Sequence, residues 1–95
     1  MAKNIAIDTQ SALKKELNTK ADHYDKTQLR IEARFGCNVR WYRKQRHLTQ
    51  DQLGFLCGLN QNYISEIERG QRNVTLRVMD LIAKALGISA DELIR

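Results

Sequence analysis

The chain contains no proline. Nothing along it removes a backbone donor or locks φ with a ring, so helices can run unbroken. Cysteine is scarce. Cys37 and Cys57 stand alone, with no Cys-x-x-Cys pair and no histidines at ligand spacing, which argues against a zinc site or a disulfide framework. Such thiols suit a reducing cytoplasm, where cysteine behaves as a small buried hydrophobe. No stretch approaches the ~18 consecutive apolar residues of a membrane span. The opening Met-Ala-Lys-Asn-Ile-Ala-Ile-Asp is too short an apolar run for a signal peptide. A phosphate-binding G-x-x-x-x-G-K-[ST] loop is missing, and His23 and His47 lack partners at motif spacing. These absences predict a cytoplasmic protein that is not an enzyme, with no metal, no cofactor and no membrane partner.

What is present is charge and helical periodicity. Sixteen Lys and Arg outweigh 11 Asp and Glu, for a net charge of +5. A basic balance points to a polyanion such as nucleic acid or an anionic membrane surface, although solubility alone can also account for it. Ninety-five residues make one domain with room for an arm. Residues 1–30 form that arm, with apolar side chains thinly spread. Leu13, Leu17, Ala21 and Tyr24 fall on one helical face, so the extension reads either as a helix or as a partly ordered basic arm.

Residues 31–95 read as five short helices and no strand. The first runs from near Phe35 to Gln45 or Arg46, with Phe35, Val39 and Tyr42 at helical spacing. Thr49 with Gln52 forms a capping box for the second, which Gly58 ends. Asn60 caps the third, and Gly70 follows it in the left-handed position. Thr75 caps the fourth, closed by Gly87, and Ser89 with Glu92 opens a last short helix containing Leu93 and Ile94.

The second and third helices are about two turns each, joined at Gly58. Gly54 sits where their backbones must approach, and Leu53, Leu59, Ile64 and Ile67 would lock the pair. Such a unit is a helix-turn-helix, whose second member enters a major groove. Three stretches carry a resemblance: Leu48-Thr49-Gln50-x-x-Leu53, Tyr63-Ile64-Ser65-x-Ile67-Glu68-Arg69-Gly70, and Leu81-Ile82-Ala83-Lys84-Ala85-Leu86-Gly87-Ile88-Ser89-x-x-Glu92-Leu93. Together they resemble the Cro/cI-type (XRE-like) helix-turn-helix family from Phe35 to Ile94. The Asn60-to-Thr75 region, with Arg69-Gly70-Gln71-Arg72-Asn73, also looks like the controller proteins of restriction–modification systems. The resemblance implies an all-α, lambda-repressor-like fold and a transcriptional regulator that binds double-stranded DNA.

Site roles follow from that resemblance and from side-chain chemistry. Gln61, Asn62, Ser65 and Glu66, with Tyr63 beside them, occupy the positions from which the family reads base edges. Gln and Asn can bond adenine in a bidentate manner, and Glu can accept from cytosine. Gln50, Thr49 and Asn60 are expected at phosphates, as are Asn38, Arg40 and Asn73, with Arg77 a further candidate. Arg72 could clamp the backbone or reach a guanine. By resemblance, Arg43 and Glu68 form a structural pair between the first and third helices.

One recognition helix covers few base pairs, so a homodimer on a palindrome is expected, with Leu86, Ile88, Leu93 and Ile94 as interface candidates. Core packing is the alternative for Leu86 and Leu93. Trp41, Lys44 and Arg46 stay ambiguous, with Trp41 a candidate to cover an exposed side of the core. A second function stays open: an antitoxin with a partner toxin, or a protein-binding adaptor, working through the first thirty residues.

Overall fold

The computed structural model describes residues 29–95. Four α-helices and one closing 3-10 turn follow one another, and no strand occurs among the described residues. They are α1 (Ile31–Gln45), α2 (Gln50–Cys57), α3 (Gln61–Glu68), α4 (Leu76–Leu86) and the 3-10 turn Ala90–Leu93. The arm expected over residues 1–30 falls outside the described residues except for Leu29 and Arg30.

The helix ends follow local chemistry. Thr49 Oγ1 accepts from the Gln52 amide at 3.0 Å, while Gln52 Oε1 accepts from the Thr49 amide at 2.8 Å. Asn60 Oδ1 accepts from the Tyr63 amide at 2.8 Å and Thr75 Oγ1 from the Val78 amide at 3.1 Å. These caps satisfy donors that the first turn of a helix cannot bond internally. Gly58 and Gly87 end α2 and α4.

Two elements differ from expectation. Helix α1 begins at Ile31, a full turn before Phe35, because its N-cap is Arg30, which makes no side-chain cap bond and so leaves no sequence signal. The fifth helix is a single 3-10 turn of four residues. Its i→i+3 bond from the Glu92 amide to Ser89 O is that of a 3-10 turn, a geometry that rarely runs beyond four residues.

One core holds the elements together. Phe35 and Val39 of α1, Leu53 of α2, Ile64 and Ile67 of α3, Ile82 and Leu86 of α4, and Leu93 are all buried in it. Two glycines decide how closely the helices cross. A Cβ at Gly54 would strike the Leu59 carbonyl oxygen, and one at Gly36 would strike that of Ile67. Gly54 thus sets the α2–α3 approach, as the sequence suggests, and Gly36 brings α1 onto the end of α3.

Leu86 and Leu93 are 2% and 0% exposed, which removes them from the expected interface. They fill the space between α4, α1 and the 3-10 turn. Ile88 is half-buried and Ile94 exposed, so the C-terminal surface is smaller than expected.

Candidate nucleic-acid interface

The α2–α3 unit is tied to α1 by one buried carboxylate. Glu68, whose side chain is 2% exposed, accepts from Arg43 Nε at 2.6 Å and from Arg43 Nη2 at 3.0 Å. Arg43 Nη1 donates to Leu48 O at 2.7 Å, which also fixes the approach to α2. Gln50, in the first turn of α2, donates to Glu68 Oε1 at 3.1 Å, and Arg40 Nη1 lies 3.9 Å from the same oxygen. Two arginines and an amide therefore converge on one charge. A buried charge is tolerated only when so surrounded.

This convergence leaves α1 and the start of α2 positive. Partial desolvation, reinforced by the Arg40 and Arg43 guanidinium groups, holds the Lys44 ammonium below the ordinary lysine range. Arg40 and Gln50 thus meet at the Glu68 carboxylate beside the first turn of α2, where the helix dipole also favours an anion.

The outer side of α3 carries the residues expected to read bases. Gln61 and Asn62 are exposed in its first turn, while Tyr63, Ser65 and Glu66 are half-buried. Glu66 Oε1 accepts from Arg72 Nε at 2.8 Å, and Glu66 Oε2 lies 3.4 Å from Asn62 Nδ2. The Arg72 guanidinium lies 4.2 Å from the centroid of the Tyr63 ring, a cation–π distance. Ser65 Oγ accepts from Arg69 Nη1. Asn73 and Arg77 are exposed. Thr49 and Asn60 use a side-chain oxygen as a cap, which leaves the Thr49 hydroxyl proton and the Asn60 amide hydrogens as donors.

Asn38 does not belong to this surface. It is 3% exposed and donates to Leu93 O at 2.9 Å and to Arg95 O at 3.2 Å. Its amide holds the C-terminal end against α1, so it cannot meet a phosphate. Three further polar contacts of this kind carry no local sequence signal, because their partners are 40 to 60 residues away. Arg34 Nε donates to Ile94 O, Tyr42 Oη to Glu92 Oε1, and Arg46 Nε to Leu86 O. The Tyr63–Arg72–Glu66 cluster was equally hidden, since Arg72 returns to α3 only after the chain has left the helix.

No group of three or more metal-ligating side chains gathers among the described residues. No helix among them is long and apolar enough to cross a membrane. Burial pushes the Cys57 thiol up from its usual range, which makes it a poor nucleophile.

Comparison with known proteins agrees with this geometry. A helix-turn-helix family model (HTH_3) matches residues 39–93. Control protein C.SmaI of Serratia marcescens is 46% identical over 57 residues, which cover 60% of this chain and 68% of that protein. Control protein C.BamHI of Bacillus amyloliquefaciens is 43% identical over 65 residues, covering 67% and 80% respectively. Among solved structures, the restriction-modification controller protein C.AhdI from Aeromonas hydrophila superposes with a TM-score of 0.64 at 42% identity, over 65% of this chain and 94% of that one.

Proposed function

This chain belongs to the helix-turn-helix family, and from that premise we propose that it regulates transcription by binding a specific double-stranded DNA sequence. The observation that carries the reading is the exposed pair Gln61 and Asn62 on the first turn of a helix held rigidly by Gly54, Glu68 and the core. In this reading α3 lies in the major groove and the first-turn amides address base edges. Gln50, Thr49, Arg40, Asn60 and Asn73 hold phosphates, which fixes register without conveying sequence. The likeness to control proteins of restriction–modification systems supports a regulator of that kind.

The DNA-bound form is a homodimer joined through the surface around Ile88 and Ile94, with two half-sites ~34 Å apart. The adaptor and antitoxin readings depend on residues 1–30, and nothing among the described residues favours them. The test is to select a preferred duplex from a randomised pool and footprint it with hydroxyl radicals. Two protected patches centred one helical turn apart are expected. A single patch, or uniform protection on every duplex, would contradict the dimeric and sequence-specific reading.

A further inference from the structure

Glu66 lies on α3 among the residues proposed to read bases, yet its carboxylate is already engaged. Arg72 Nε sits 2.8 Å from Oε1, and Asn62 Nδ2 lies 3.4 Å from Oε2. Arg72 is held a second time, because its guanidinium lies 4.2 Å from the Tyr63 ring centroid. The chain reaches this arrangement by leaving α3 after Glu68 and turning at Gly70, where φ is 74°. Four side chains from α3 and the following loop therefore form one connected cluster.

The geometry of the guanidinium is informative. Its Nε is taken by Glu66 and its central carbon lies over the Tyr63 ring, which leaves the two terminal nitrogens as donors. Two parallel donors are what a bidentate bond to guanine O6 and N7 requires. A lone carboxylate in a groove lined by phosphates would be repelled, whereas one neutralised by Arg72 is not.

We infer that Glu66 is a positioning residue which holds Arg72 against Tyr63, so that Arg72, and not Glu66, reads a base and takes a guanine. This deepens the DNA-reading function proposed above and rests on it. The two carboxylate roles lead to different outcomes. A carboxylate that read cytosine itself would set preference at its own base pair, independently of Arg72. A carboxylate that positions Arg72 sets preference at the base pair that Arg72 reads.

The full chain and its Glu66→Ala, Arg72→Ala, doubly substituted and Glu66→Gln variants are each offered a randomised double-stranded pool. Relative affinity is then measured for every single-base change in the wild-type choice. Glu66→Ala and Arg72→Ala are expected to relax preference at the same guanine by roughly tenfold, with no further loss in the double variant. Glu66→Gln, which keeps an oxygen within reach of Arg72 Nε, should retain the wild-type choice. Relaxation at separate base pairs, additive losses, or a switch from cytosine to adenine in Glu66→Gln would overturn the inference. A wild-type chain that enriches no sequence would overturn the DNA-reading function, and this inference with it.

Discussion

His47 occupies the left-handed region at φ 56°, alone among the described non-glycine residues. It stands where α1 ends, with its amide donating to Lys44 O at 3.0 Å and the Leu48 amide donating to Arg43 O at 3.2 Å. Those two bonds wrap the helix end and direct the chain into the cap at Thr49. A side chain in this conformation costs about 1 kcal/mol, because Cβ crowds the carbonyl oxygen, and glycine avoids that cost but gives the unfolded chain more conformational entropy to lose on folding. His47→Gly should therefore raise stability by up to about 1 kcal/mol, and the urea midpoint would report it. A lower midpoint would mean that the imidazole makes a contact worth more than the strain. No sequence cue marked this position, since the three other helix ends use glycine there.

At the scale of elements, the short turn Ala90–Leu93 buries Leu93 in the core and is tied to α1 by polar links as well. The Tyr42 hydroxyl donates to Glu92 Oε1 at 3.0 Å. That bond, followed by those from Ser89, holds the Glu92 carboxyl below its usual range. A depressed folded-state pKa contributes stability above the unfolded value and loses it as pH falls through the folded one. Acid should therefore loosen the C-terminal end as pH drops below about 4. Tyr42→Phe should make the thermal midpoint less sensitive to acid over that window, as a pH series of melting curves would record. An unchanged acid profile would mean that the bond to Tyr42 does not hold the turn.

The same scale shows what was legible in advance. Thr49, Asn60 and Thr75 marked the starts of α2, α3 and α4 because capping is local chemistry between residues three apart. Gly58 and Gly87 marked two ends because glycine takes the left-handed conformation there without a Cβ clash. The start of α1 was missed because Arg30 makes no side-chain cap bond. Asn38 was misplaced because its partners, Leu93 and Arg95, are more than fifty residues away. The resemblance named the residues on the outer side of α3, but it could not show that Arg72 folds back over Tyr63.

For the whole molecule, size and charge bear on how DNA is engaged. The fold measures 32 × 24 × 22 Å, so two copies side by side can place their α3 helices about one helical turn, ~34 Å, apart. The net charge of +5 draws the chain to any duplex, but it carries no sequence information. In the proposed reading, specificity comes from α3, from Arg72 beside it and from the groove they enter. If that groove is the major one, purine N7 takes part in recognition and offers a direct measurement. Replacing purines of the selected duplex with 7-deazapurines removes major-groove acceptors and leaves the minor groove intact. Titration of the wild-type chain against both duplexes should show an affinity loss of roughly tenfold or more for each half-site guanine so altered. Equal affinity for the two duplexes would contradict the account.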